Sequence, residues 1–423
     1  MAAFPTVKLA DCVDLLAGFA FKSQHFTDKP DDIALVKGEN VSQGCILWEI
    51  SKRWSAAEWT TFEKYQLRTG DVVVAMDRPW VPAGLKWAYI RRDDPKSLLV
   101  QRCCRLRSNT PRLDQDFLRF VIGGAGFESY VMPITTGVNV PHISGKQILD
   151  YKFRLPPLPI QSRIVGILSA YDELIENSQR RIKILESMAL ALYREWFVHF
   201  RFTGHESFPR VPSPLGDIPK GWEVKTLGEI VALITKGTTP TTLKRQFQTE
   251  GFNFIKAEAI EESGTLIESK FAKIDSETHE LLKRSQLCSS DILFSIAGVI
   301  GRVCIVPDRV LPANTNQALA IVRCVSPFLI PFLYMTLRGD VFQNYSFGRI
   351  VQTAQANVSL TELKAAPIAI PPDGLIARFN GFAEPVMEQI QLLSEQIKNL
   401  RRTRDLLLPR LLSGQIDVET MAS

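Results

Sequence analysis

Residues 155–200 read LPPLPIQSRIVGILSAYDELIENSQRRIKILESMALALYREWFVHF, and an altered form of the same text begins again at Ile370 as IPPDGLIARFNGFAEPVMEQIQLLSEQIKNLRRTRDLLLPRLL. After Pro156-Pro157 the apolar residues fall at Ile164, Ile167, Tyr171, Leu174, Ile175, Ile182, Leu185, Leu192 and Trp196. Pro156 and Pro371 stand 215 positions apart, and that displacement carries seven of these positions onto Phe379, Val386, Ile390, Ile397, Leu400, Leu407 and Leu411. Alternating steps of three and four mark a helix that packs lengthwise on another helix. No Gly or Pro interrupts Ile167 to Phe200, and Pro159 to Val198 makes a helix roughly 60 Å long at about 1.5 Å per residue. A small domain cannot cover so long a stripe. The two helices are therefore expected to cover each other, antiparallel as a two-fold duplication favours. The other arrangement, each helix folding back on its own globular part, also stays open, because Pro385 can kink the second helix near its start.

Outward from these helices the whole chain is written twice. Val7-Lys8-Leu9 with Asp11 and Gly18 answers to Lys225-Thr226-Leu227 with Glu229 and Gly237. Val36 to Val41 answers to Ile255 to Ile260, Asp71 to Val74 answers to Asp291 to Phe294, and Gln101 answers to Gln317. Five matches in one order imply a pseudo-symmetric protein offering two related surfaces to something divided in two, although a duplication without functional content would leave the same trace. Each copy begins with about 150 residues rich in short β-type runs, among them Asp71 to Ala75, Leu98 to Leu106, Asp291 to Ile296 and Leu319 to Val325. Phe202 to Trp222, with four prolines and three glycines, reads as a linker.

Composition narrows the function by exclusion. The 423 residues suffice for two or three domains, and 50 Lys+Arg against 45 Asp+Glu leave a net charge of only +5. That balance permits a nucleic-acid partner without requiring one. Seven cysteines, at 12, 45, 103, 104, 288, 304 and 324, form no CxxC pair, so no zinc site or disulfide framework is expected and a cytoplasmic location fits. The N-terminus lacks the pattern of a signal peptide, and no apolar run approaches 18 residues. Neither a phosphate-binding G-x-x-x-x-G-K-[ST] loop nor G-x-G-x-x-G occurs. The aromatic-ended Asn/Asp-Pro-Pro tetrapeptide of adenine methyltransferases is missing too. Glu268-Ser269-Lys270 ends like a nuclease site but has no acidic partner in a suitable context. No catalytic, metal or cofactor residue is expected, and the chain should not be an enzyme on its own.

The repeated helices carry a specific likeness. Leu155 to Leu158 with Gln161 and Ile164, Leu192 to Val198 with Phe200 to Phe202, Gly216 to Trp222 (GDIPKGW), and Leu408 to Gly414 (LPRLLSG) resemble the conserved segments of type I restriction-modification specificity subunits. One departure is that Pro371-Pro372 is followed by Asp373-Gly374-Leu375-Ile376, where the family has an acidic residue and Gln. The resemblance implies a mixed α/β (α+β) fold with two pseudo-symmetric target-recognition domains separated by two long antiparallel helices in a coiled coil. Residues 1–155 would be the first recognition domain, 156–203 the first spacer helix, 204–370 the linker and second recognition domain, and 371–423 the second helix and C-terminus. It further implies that each recognition domain reads half of a split double-stranded DNA target. The helices would set the spacing and dock two methyltransferase subunits, through which a restriction/translocase subunit joins. S-adenosylmethionine, ATP and magnesium would belong to those partners. A specificity module of another restriction-methylation system and a protein-only coiled-coil scaffold are the alternatives.

Candidate DNA-facing residues come from loops. Thr135 to His142, with Thr136, Asn139 and His142, answers to Arg349 to Ser359, with Arg349, Gln352, Gln355 and Asn357. Asn and Gln can bond adenine edges and short polar side chains can bond phosphate, though an ordinary polar turn has the same composition. Phe21 and Lys22 lie in Gly18 to Ser23, while Lys236 and Thr238 lie in Thr235 to Pro240, followed by Lys244 and Arg245. Glycine beside a cation suits phosphate contact. Met76 to Lys86 contributes Arg78, Trp80 and Lys86, with Trp80 read as either core or base-stacking, and Gly298 to Arg302 contributes Arg302. Lys37 and Lys256 occupy matched positions after a strand.

Overall fold

Val72–Ala75 is a run of four buried residues, as expected of a strand covered on both faces. In the computed structural model, which describes residues 4–81, 84–135, 141–349 and 357–416, it lies inside a five-stranded sheet. The order is Val13–Ala17, Cys103–Ser108, Val72–Ala75, Trp87–Tyr89, Gln43–Gly44. Ile292–Ser295, equally buried, takes the matching place in a four-stranded sheet of order Val231–Lys236, Leu319–Cys324, Ile292–Ser295, Val303–Ile305. These sheets belong to two separate units, Met1–Glu176 with Lys398–Ser423 and Asn177–Ile397.

A smaller sheet repeats with the same logic. Ile33–Val36 pairs in parallel with Ser97–Leu99 and antiparallel with Arg53–Trp54. Phe252–Ile255 pairs in parallel with Ala313–Thr315 and antiparallel with Ala272–Ile274. Each globular part is closed by its first and last strands, Thr6–Lys8 with Lys152–Arg154 and Glu223–Thr226 with Pro367–Ile370, just before a long helix begins. The duplication is therefore a duplication of topology.

Both main sheets carry one buried ion pair at the same place. Asp71, 2% exposed at its side chain, accepts from the Arg107 guanidinium and from the Arg68 backbone N–H at 2.7 Å. Asp291 accepts from Arg323 Nε and Nη2, each at 2.7 Å, and from the Cys288 backbone N–H at 2.7 Å. A buried carboxylate is tolerable only with its lone pairs filled, and here a guanidinium fork and a turn N–H fill them.

The long helices span Leu158–Tyr193 and Asp373–Leu412. In the first unit, Ile164 and Leu168 share a core with Leu407 and Leu411, and Arg404 Nη1 donates to Asp172 Oδ1 at 2.8 Å. In the second unit, Ala189, Tyr193 and Phe197 share a core with Phe379, Ala383 and Val386, the rings of Phe197 and Phe379 lying 5.0 Å apart. The start of one helix thus meets the end of the other, which is antiparallel pairing. Both sequence readings hold in part, since the same cores also include residues of the globular parts such as Phe117 and Phe332.

Pro385 does not break the second helix; it sits exposed within it. Ile164, Ile175, Ile182, Phe379, Val386, Ile397 and Leu411 are buried as the seam requires, with Tyr171, Leu185, Ile390, Leu400 and Leu407 half-buried. Leu192 and Trp196 are also only half-buried, and their places are taken by Tyr193 and Phe197. A nearly straight helix drifts about 20° per heptad against a 3.5-residue repeat, so the buried face moves on by one residue. The helix closes in a π turn, Arg194–Val198.

Gln161 ties the first helix to its globular part, its Nε2 donating to the Arg112 and Pro156 carbonyls at 2.7 Å and its Oε1 accepting from Asp114 N–H at 2.8 Å. The matched residue in the second copy is Ile376. The tie reappears one turn later, where Asn380 Nδ2 donates to the Phe328 carbonyl at 2.7 Å. The stretch read as a linker is packed rather than loose. Phe202, Ile218 and Trp222 are buried, and Arg210–Val211 pairs with Ile218–Pro219. Its prolines and glycines shape a fixed strap.

Removing Asp71 leaves the Arg107 guanidinium, only a quarter exposed, without its counter-charge. Asp71→Ala should cost about 3 kcal/mol, the low end for breaking a buried pair because Arg107 keeps some water. Denaturant unfolding of the purified chain checks this, and a loss near zero would show that the pair does not anchor the sheet.

Candidate nucleic-acid interface

In each unit the site begins with a glycine against a backbone. A Cβ on Gly18 would stand 2.2 Å from the Val100 carbonyl oxygen, and one on Gly237 would stand 1.9 Å from that of Thr315. Only glycine lets the loop after the sheet's edge strand come down onto the turn between the two sheets. In the first unit the approach is sealed by Gln101 N–H donating to the Phe19 carbonyl at 2.7 Å, and in the second by a Thr239–Gln317 side-chain hydrogen bond. Lys37 and Lys256 follow the central strands of the smaller sheets. Lys37 Nζ lies 5.2 Å from the Phe26 ring centroid and 2.7 Å from Glu39. Lys256 Nζ lies 4.5 Å from that of Phe247 and 4.0 Å from Glu258. The same cationic corner is built twice.

In the first unit this corner opens into a cleft of about 780 Å³ lined by Lys22, Lys37, Asp77, Arg78, Lys86 and Arg102, among others. Four separate segments of the chain supply these side chains. Arg102 Nη1 donates to Asp77 Oδ2 at 2.6 Å, and His142 Nδ1 is 2.7 Å from Asp77 Oδ1. Arg78 and Arg102 both hold left-handed backbone, at φ +45° and +68°. That conformation is costly for a side chain with a Cβ, and such residues gather at functional sites. The Lys86 ammonium donates to the Gly38 carbonyl, and burial pulls its pKa below the usual lysine range. With several guanidinium and ammonium groups around one recess, an anionic ligand with hydrogen-bonding edges is the natural occupant.

The sequence-based choices divide accordingly. Lys22, Lys37, Arg78 and Lys86 come together in the cleft, and His142 joins through Asp77. Phe21 also lines it, but at 5% exposure it is a correction: its ring packs 4.9 Å from Trp54 and 4.8 Å from Phe62, so it supports the wall rather than facing a ligand. Trp80 is exposed, its Nε1 donating to Glu128 at 2.7 Å, and lies outside the cleft lining.

In the second unit Lys236 is exposed and Thr238 partly so, beside Gly237, and Lys244 is exposed in left-handed backbone. Arg245 is held by Glu277, and Arg302 Nη1 is committed to the Ile260 carbonyl at 2.6 Å. Arg349 stacks over Tyr345 at 4.1 Å and pairs with Glu362 at 3.2 Å. Asn357 pairs by its backbone with Ala297. Thr136, Asn139, Gln352 and Gln355 lie outside the described residues.

Asp77 and Arg102 were not singled out in the sequence. Their signal was present only as a difference between the copies, because Ala297 and Ala318 stand at the matching places. Among the described residues no group of three or more His, Cys, Asp or Glu is arranged to hold a metal, and no helix is long and apolar enough to cross a membrane.

Comparison with known proteins gives one answer. Residues 2–187 and 219–378 match the family described as Type I restriction modification DNA specificity domain. The chain is 25% identical over 318 residues to the type I restriction enzyme MjaIX specificity subunit of Methanocaldococcus jannaschii, covering 72% of this chain and 70% of that protein. It is 23% identical over 436 residues to the EcoBI specificity subunit of Escherichia coli, covering 98% and 87%. The crystal structure of a type I restriction-modification S subunit from M. genitalium shares the fold, with a TM-score of 0.55 at 14% identity over 97% of this chain and 96% of that one.

Proposed function

Because the chain belongs to the type I restriction-modification DNA specificity family, we propose that it is the sequence-reading subunit of such a complex, each unit taking one half of a bipartite duplex target. The observation that carries this is the cationic corner built twice on one topology, with glycine, lysine, aromatic ring and glutamine at matched positions. Lysines at such corners suit phosphate contacts, which position a protein on DNA, while side chains deeper in the cleft suit base edges. The chain reads and does not catalyse.

The helix pair sets the distance between half-sites and docks two methyltransferase subunits. Support comes from exposed apolar side chains on both helices: Leu174, Ile184 and Met188 on the first, Leu392 and Leu406 on the second, all between 48% and 60% exposed. Apolar surface on an otherwise polar helix face invites a partner. A restriction/translocase subunit joins through the methyltransferase. S-adenosylmethionine, ATP and magnesium are bound by those partners, and the complex works in the cytoplasm.

Native mass spectrometry of the chain saturated with its methyltransferase should give two methyltransferases per chain; saturation at one would contradict the docking scheme. Geometry is tested by inserting four residues into each helix, after Glu176 and after Ile397, where the chain passes from one unit to the other. Each insertion adds about 6 Å, or one to two base pairs of duplex. Both half-sites should be retained while the unread gap grows by that amount. An active variant with an unchanged gap would show that the helices are not the ruler.

A further inference from the structure

Two copies of one backbone that read different half-sites serve as an internal control. Side chains shared at equivalent positions meet what the half-sites have in common; side chains that differ meet what distinguishes them. Equivalence here is fixed by hydrogen bonds rather than by sequence. Met76 N–H donates to the Arg102 carbonyl at 2.7 Å as Ile296 N–H donates to that of Ala318 at 2.8 Å. Ile143 N–H donates to the Met76 carbonyl, and Val358 N–H to that of Ile296, both at 2.9 Å. Asp77 bridges to His142 as Ala297 bridges to Asn357. The pairs are therefore Asp77 with Ala297, Arg78 with Gly298, Arg102 with Ala318, and His142 with Asn357.

Lys37 and Lys256 are the same, as are Gln101 and Gln317. The four pairs just named all differ, and they differ in one direction, charged or ionisable in the first unit and neutral in the second. Arg78 is the most telling. Its counterpart Gly298 takes φ +74°, so this corner demands left-handed backbone, and the second copy meets that demand with glycine. The first copy holds arginine there at φ +45° despite the strain, with its side chain exposed on the cleft. Arg102 is held by a different device. Its side chain is 66% exposed, while the Asp77 that grips Nη1 is 18% exposed and is itself met by His142. One donor of five is thereby fixed and the guanidinium plane is oriented toward the cleft.

Resting on the DNA-reading role argued above, we propose that Arg78 and Arg102 are the guanine-reading side chains of the first unit, presenting their forks to O6 and N7 in the major groove. Asp77 and His142 position Arg102, and Lys37 and Lys256 make the phosphate contacts common to both units. Asp77 holds Arg102 by Nη1, and arginine bidentate to guanine O6 and N7 is the commonest specific base contact. The second unit has no guanidinium at either matched place, so its half-site carries no guanine there read in this way.

The test selects bound duplexes from a library randomised across both half-sites, using the full chain assembled with its methyltransferase subunits. Arg78→Gly installs the residue the second copy already uses, so it relieves strain and should leave Tm unchanged or higher. Arg102→Asn keeps a residue that tolerates left-handed backbone. Each variant should lose a guanine preference at one position of one half-site, with roughly tenfold to hundredfold less discrimination. The other half-site and the gap should stay as they were. Lys37→Ala should weaken all duplexes alike, keep the motif, and lower the salt dependence by about one counterion. If the wild-type complex selects a bipartite motif and both arginine variants select the same one unchanged, the inference is overturned while the DNA-reading role stands. If the wild type selects no bipartite motif, both fall together.

Discussion

A stripe of apolar side chains at alternating steps of three and four runs along both long helices, and the other helix covers it together with residues of the globular parts. The pairing has to be antiparallel. Ile164 and Leu168 therefore meet Leu407 and Leu411 in one unit, while Tyr193 and Phe197 meet Phe379 and Ala383 in the other. Each unit's core is completed by one piece from each helix, so neither globular part is finished by the local sequence alone. The buried ties at the helix starts, Gln161 in one copy and Asn380 in the other, give each helix a fixed origin on its globular part.

Much of this was legible in the sequence because periodicity survives substitution. The seam could be read from Ile164 to Leu411 without knowing any partner, and the repeat could be read from short matches in constant order. Where the reading slipped, the cause was geometric. Leu192 and Trp196 fit a strict heptad, but the helix drifts, and Tyr193 and Phe197 turn inward instead. Phe202 to Trp222 has the composition of a loose connector, yet its aromatic residues anchor it to a ring cluster, with Phe200 and Trp222 centroids 5.1 Å apart.

The candidate site was legible only in fragments. Lys22, Lys37, Arg78 and Lys86 were found because cations near glycines or strand ends suggest an anion surface. Phe21 was chosen for its neighbours in sequence, and nothing in period-two alternation separates it from Phe19 two residues before; only the fold shows Phe21 buried at 5% against Trp54 and Phe62 and Phe19 38% exposed. Asp77, Arg102 and His142 are separated by 25 and 65 positions along the chain, so no local pattern joins them. What joins them is the crossover that sets the turn after Leu99 against the end of Val72–Ala75. Comparing the copies at equivalent hydrogen bonds recovers what local composition could not. One copy has spent its matched positions on charge and the other on small or neutral side chains.

The central proposal is that two related but unlike units read two unlike half-sites of one bipartite target. Methylation mapping of genomic DNA from cells carrying this chain with its partner subunits tests it most directly. The account predicts a single asymmetric motif whose two specified parts differ in sequence and flank a gap of constant length without base preference. An uninterrupted motif, or two identical halves in inverted repeat, would contradict it.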